Sequence, residues 1–250
     1  MAIWICSCGP ICACAEARAS NVRGFGYRDR ETVRGGSILF MAIRRTVGNP
    51  AGTKLGRRFE QALLFAHRQH AGQLRKGTPA PYISHLLGVA GLVLEAGGDE
   101  DLAIAALLHD VVEDCGGAPM LKQVRRRFGE RVAHVVEGCT DTCLDPKPPW
   151  RHRKENYVRH LRGADADTHL VSAADKLHNA RHILADYHQD GERIWTRFHG
   201  RQKGTLWYYR ALLKEFRRRK PNRLVNELER VVSQLETAVR KDPNRRHRRS

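Results

Sequence analysis

One histidine and three acids crowd the second half of an otherwise apolar stretch, DLAIAALLHDVVED at residues 101–114. Leu102 through Leu108, with Val111 and Val112 beyond, make it apolar on nearly every side, the pattern of a buried helix. Burying ionisable groups is costly unless something pairs them. His109 and Asp110 are neighbours, about 100° apart on a helix, so both can lean toward one point. Glu113 and Asp114 follow one turn later. A single helix over 101–114 therefore offers a two-ligand metal clamp with two carboxylates beside it. His85, in the apolar stretch YISHLLGVAGLVL, and Asp175, in an apolar helical pattern, extend the set. His85, His109, Asp110 and Asp175 together form a mixed nitrogen and oxygen donor set, which suits Mn, Fe, Co or Zn and not thiolate-seeking ions. Four protein ligands leave room on a six-coordinate ion for water and substrate oxygens. Such an ion polarises a phosphoryl oxygen and lowers the pKa of its water. Glu113 and Asp114 can then orient that water, accept its proton or protonate a leaving oxygen.

The elements that must position these residues are helical. Apolar residues recur at helical spacing over 56–70, 82–94, 101–114, 119–129, 130–139, 150–161, 165–185, 204–216 and 221–240. Asp99 or Asp101 can cap the central helix, and Cys115-Gly116-Gly117 ends it. Loops are expected at 74–81, which carries Arg75 and Lys76, and at 141–149. No β alternation is evident, so the class is all-α. His67 and His70 read as core or surface histidines, not ligands. The last helix carries Leu224, Leu228, Val231, Leu235 and Val239 on one stripe, which packs on the domain or on a second copy. Residues 1–54 have no persistent period and are expected to be a disordered extension, with Met41 a candidate true start. CSCGPICAC near the beginning, with Cys6, Cys8, Cys12 and Cys14, is a weak thiolate pattern. The body is assigned to 55–216, and a basic helix with a disordered tail to 217–250.

The 250 residues suffice for one large domain or two small ones. The formal charge of +17 raises nucleic acid or another polyanion as a partner. Residues 217–250, however, hold 12 of the 44 Lys and Arg and only 4 of the 27 Asp and Glu. Such a tail reads as a solvated face or a weak polyanion tether. No apolar run is long enough to cross a bilayer, so no membrane partner is expected. Seven cysteines without regular spacing argue against a disulfide framework and for a reducing cytoplasm.

The order H…HD…D resembles the HD superfamily of metal-dependent phosphohydrolases. RKGTPAPYISH, HDVVED, FGERVAHVVEGCTD and ADKLHNAR, in that order, are similar to the hydrolase domain of the RelA/SpoT-homologue family, which handles the alarmone (p)ppGpp of the stringent response. The resemblance spans residues 59–216. It implies an HD-domain helical bundle with Mn(II), or another first-row divalent ion, on His85, His109, Asp110 and Asp175. It implies Glu113 and Asp114 as the catalytic acids, Arg75 and Lys76 at the guanine base and nearby phosphate, and Tyr82 and Asn179 in the nucleotide pocket. Lys176 and Arg181, with Arg151, Arg153 and Lys154, would complete a basic rim for the guanine nucleotide. The implied reaction releases pyrophosphate from the 3′ position, leaving GDP or GTP. Leu86 stands where the family usually has proline, and a local backbone change is expected there. The remaining length suggests a stand-alone hydrolase without synthetase or regulatory domains. Trp207, Tyr208 and Tyr209 are read as core or dimer contacts, which leaves a homo-oligomer open. The rivals are HD hydrolysis of NADPH, an adenine alarmone or a nucleoside monophosphate, and a basic nucleic-acid-binding protein.

Overall fold

In the computed structural model, residues 53–144, 146–219 and 222–241 are described. The expectations for the first 50 residues and for the tail beyond 241 lie outside them. The described chain is helical: α1 (Arg57–Gln69), α2 (Ile83–Glu95), α3 (Glu100–Leu108), α4 (Val111–Cys115), α5 (Gly117–Phe128), α6 (Glu130–Cys139), α7 (Trp150–Gly163), α8 (Ala166–Asp190), a 3-10 helix (Gly191–Arg197), α9 (Arg201–Phe216) and α10 (Arg223–Lys241). Among the described residues, extended pairing is limited to one isolated bridge, Leu74 with Pro81. No helix there is long and apolar enough to cross a membrane.

α3 is the axis of the bundle. Every residue from Leu102 to Leu108 is buried, and α1, α2, α6 and α8 pack around it. Asp99 caps it, accepting the Leu102 N–H at 3.0 Å, and Arg131 of α6 braces the same carboxylate at 2.5 Å. α8 is the second long support, flanked by α2, α6 and α10. The stripe of α10 lies on α8, with Leu228 and Leu235 fully buried.

The structure corrects the expectation of one helix over 101–114. It is interrupted at His109–Asp110, between α3 and α4. The Ala106 carbonyl, which a continuous helix offers to the Asp110 N–H, accepts the His109 ring N–H at 2.8 Å. α8 also runs five residues past the expected end at 185. Leu86 sits fully buried within α2, which continues through it as a regular helix.

Gly88 lets α2 approach α8, because a Cβ there would stand 2.2 Å from His178 Nε2. Gly88→Ala is therefore expected to destabilise the fold by about 1–3 kcal/mol through overpacking. Chemical denaturation checks this, and an unchanged midpoint would show that His178 can move aside freely.

Candidate functional site

Three separate segments bring four ligand candidates together: α2 supplies His85, the break after α3 supplies His109 and Asp110, and α8 supplies Asp175. His85 Nε2 lies 3.2 Å from Asp175 Oδ1 and 3.7 Å from Asp110 Oδ2. His109 Nε2 lies 2.9 Å from Asp110 Oδ2 and 3.6 Å from Asp175 Oδ1. The ligand atoms of His85, His109 and Asp175 all fall within 4.8 Å of one another, and all three residues are buried.

Proton bookkeeping shows what this cluster lacks. A carbonyl oxygen can only accept, so the bond to Ala106 fixes the His109 proton on Nδ1. Its Nε2 is then turned into the cluster, buried and without a hydrogen bond among the described residues. Burial disfavours charge on this ring, but Asp110 and Asp175 outweigh it and hold its pKa well above the usual value. For His85, burial prevails over the same carboxylates and its pKa is lowered. Burial would raise Asp110 and Asp175. Instead His109 holds Asp110 low, while Lys176, His109 and His85 hold Asp175 low. Buried Asp175 and half-buried Asp110 thus face two imidazoles around a point that calls for a cation, and the nitrogen and oxygen donors fit a first-row divalent ion.

A ring of polar groups aims the ligands. Tyr82 donates its hydroxyl to Asp110 Oδ2 at 2.6 Å. Asn179 donates to Asp175 Oδ1, and Lys176 pairs with Asp175 Oδ2, both at 2.5 Å. His85 Nδ1 meets His178 Nδ1 at 2.9 Å, so one of the two carries the shared proton. Burial and neighbouring cationic or imidazole groups push His178 down to about 3, which keeps it neutral. The sequence alone assigns no role to His178, since its partner lies 93 residues away.

Glu113 and Asp114 sit one turn beyond the cluster on α4 and differ in company. Burial raises the Glu113 pKa, while Lys147 Nζ, 3.1 Å away, opposes the rise. Asp114 Oδ2 accepts from the Gln73 amide at 3.0 Å. Arg153 reaches within 3.7 Å of Glu113, and Arg153 and Lys154 both pair with the buried Asp141. Sequence reasoning misses Lys147 and Asp141 because the loop gives no sign of what it folds against.

Beyond Tyr82 opens a cavity of about 320 Å³, lined by Arg75, Lys76, Lys176 and Asn179 and by the aromatic Trp150, Phe198 and Tyr208. Arg75 donates to Asn179 Oδ1 at 3.0 Å. The loop that carries it is tied by Arg75 N–H to Ala80 O and by Tyr82 N–H to Gln73 O, each 2.8 Å. Two basic residues expected at the rim are turned elsewhere. Arg181 pairs with Glu227 of α10, and Arg151 pairs with Glu155 and covers the Trp207 ring. Neither lines the cavity, and nor does Arg153, which pairs with Asp141. Tyr208 and Tyr209 are buried and border it, so those aromatics serve core and cavity together.

Comparison with known proteins agrees with this architecture. The HD domain family matches residues 62–206. MESH1 of Xenopus tropicalis, a guanosine-3′,5′-bis(diphosphate) 3′-pyrophosphohydrolase, is 38% identical over 126 residues, covering 49% of this chain and 68% of that protein. A probable guanosine-3′,5′-bis(diphosphate) 3′-pyrophosphohydrolase of Synechocystis is 40% identical over 128 residues, covering 50% of this chain but only 16% of its own length. The solved structure of a metazoan SpoT orthologue that hydrolyses ppGpp superposes with a TM-score of 0.60 at 26% identity, covering 73% of this chain and 97% of that one. The fold and the site define an HD-domain protein of the metal-dependent hydrolase class. The chain belongs to the HD-domain family, and its relatives there include the MESH1 and SpoT-type proteins.

Asp110→Asn removes the negative charge of one ligand candidate. Its metal affinity is expected to fall by more than the roughly 10–100-fold that loss of an outer hydrogen-bonding partner costs. Metal titration of the purified variant checks this, and full metal retention would remove Asp110 from the ligand set.

Proposed function

We propose that this chain is a hydrolase that removes the 3′-pyrophosphate of guanosine 3′,5′-bis(diphosphate), with Mn(II), or another first-row divalent ion, held by His85, His109, Asp110 and Asp175. The reading rests on one junction. Tyr82, Lys176 and Asn179 each hold a ligand carboxylate and also line the cavity, so a nucleotide bound there meets the cluster directly. The names of the relatives favour the guanosine substrate.

The bound ion would supply Lewis acidity and an acidified water. The protein supplies the rest. Arg75 and Lys76 hold the nucleotide in the cavity, and Asn179 fixes Arg75 in place. The aromatic walls exclude water from the base. Glu113, its basicity raised by burial, takes a proton from the attacking water as the water oxygen bonds to the 3′-phosphorus. The bond from that phosphorus to the ribose 3′-oxygen breaks, and Glu113 returns the proton to the departing oxygen. GDP, or GTP from the pentaphosphate, leaves with pyrophosphate. Asp114 orients the water, and Lys147 and Arg153 stand ready for the anionic product.

Turnover of ppGpp should require Mn(II) or a similar ion and yield pyrophosphate, and orthophosphate as the first product would overturn the reaction assigned. Glu113→Gln should keep the metal and lose roughly 10²–10⁴-fold in turnover. Near-normal turnover in that variant would exclude Glu113 as the base. Lys147 lowers the Glu113 pKa, so Lys147→Gln should move the acid limb of kcat/KM to higher pH. A limb that stays still, measured from pH 4 to 9 (a range of about 5 units around the ordinary carboxylate and imidazole values), would mean that Glu113 does not set it.

A further inference from the structure

We infer that His70 and Gln73 form a relay that aims Asp114, making them positioning residues for the hydrolysis. The inference rests on the proposed role of Asp114 in that reaction. Two contacts carry it. Gln73 donates its side-chain amide to Asp114 Oδ2 at 3.0 Å, across 41 residues of chain. The carboxylate can only accept, so the Gln73 amide nitrogen is committed to it and Oε1 faces the other way. There it meets His70 Nδ1 at 2.7 Å, which makes the ring nitrogen the donor. One direction of donation thus runs from imidazole to amide to carboxylate, and the Gln73 amide cannot turn over without breaking both bonds.

His70 is held hard enough to serve as the anchor. It is 4% exposed, where an uninvolved histidine at a helix end would be solvated. Its ring stacks on Tyr82, with centroids 4.9 Å apart and planes inclined by 26°. Gln73 is pinned from both sides through its backbone: its N–H donates to His70 O at 3.0 Å and its carbonyl accepts from Tyr82 N–H at 2.8 Å. The same short segment therefore sets Tyr82, which holds the ligand Asp110, and Gln73, which holds Asp114. The two acids of α4 are steadied by different means. Glu113 has a direct cationic partner in Lys147 at 3.1 Å, whereas the close contact of Asp114 is a neutral amide, with Lys147 3.7 Å from its other oxygen. A neutral donor fixes direction without neutralising the charge, which suits a carboxylate whose task is to orient water.

The test uses the full chain loaded with Mn(II), with ppGpp as substrate. Gln73→Leu should lower kcat by about 10–100-fold, the cost of misplacing a reacting group by about 1 Å, with KM and metal content unchanged. Adding Gln73→Leu to Asp114→Asn should cost nothing further, because the relay acts only through that carboxylate. His70→Asn keeps a side-chain N–H near the place of Nδ1 and should retain more turnover than His70→Leu. Normal kcat in Gln73→Leu, a full additive loss in the double variant, or equal losses in the two His70 variants would each overturn the relay. Full turnover in Asp114→Asn would strike the catalytic role of Asp114 itself. A damaged Asp114→Asn beside an intact Gln73→Leu would strike only the positioning.

Discussion

One buried and one half-buried carboxylate, Asp175 and Asp110, facing two buried imidazoles in a helical core, are the constraint around which this chain is built. Asp175 is closed to water and Asp110 is only partly open to it, so much of the positive charge must come from the surroundings. Lys176 supplies one share, the raised affinity of His109 for a proton another, and the geometry leaves space for a cation to supply more. The uninterrupted burial of Leu102–Leu108 keeps the environment dry enough for these charges to act strongly on one another. The break after Leu108 frees the His109 ring to bond backward to Ala106 and present Nε2 forward.

Economy marks the layer outside the cluster. Tyr82 joins Asp110 to the cavity wall and to the His70 ring. Asn179 accepts from Arg75 with its oxygen and donates to Asp175 with its nitrogen, so a residue lining the cavity is mechanically continuous with a ligand candidate at the cluster. Such sharing means that few of these side chains can be altered without disturbing two functions at once. It also explains why the loop from Gln73 to Tyr82 is tied by paired backbone bonds although it contains two prolines and a glycine. Gly77 within it has φ +78, and a Cβ there would meet the Arg197 side chain at 2.5 Å, so the turn and the close approach both require glycine.

Much of this architecture is legible in the amino-acid sequence, because amphipathic period and cap chemistry are local. The bounds of α1, α2, α5, α6 and α10 lie within about two residues of the expected ones, the ordinary precision of such readings. His85, His109 and Asp175 are readable as a set because ionisable residues in apolar helices demand a common partner. The illegible parts are set by tertiary proximity. The interruption at His109–Asp110 depends on where a ring points, not on a helix-breaking residue. Lys147, His178 and Gln73 owe their roles to contacts with residues 34, 93 and 41 positions away. The 3-10 helix, GERIWTR, has no periodic signature of its own and is held by packing, with Ile194 and Trp195 buried.

The fate of Arg181 shows why charge in a sequence is a poor guide to a binding rim. Lys176, Asn179, Ile183 and Asp186 all line the cavity, and their spacing of three or four places them along one face of α8. That face extends about 15 Å from Lys176 to Asp186, so it runs from the cluster along the cavity. Arg181 stands five residues from Lys176, about 140° round the helix, and so turns away from the face toward Glu227 of α10. Its positive charge ties the last helix to the bundle. The strong overall charge of the chain is therefore not a measure of the charge presented to substrate, and helical phase, more than residue type, decides which of the basic residues on α8 can meet an anion.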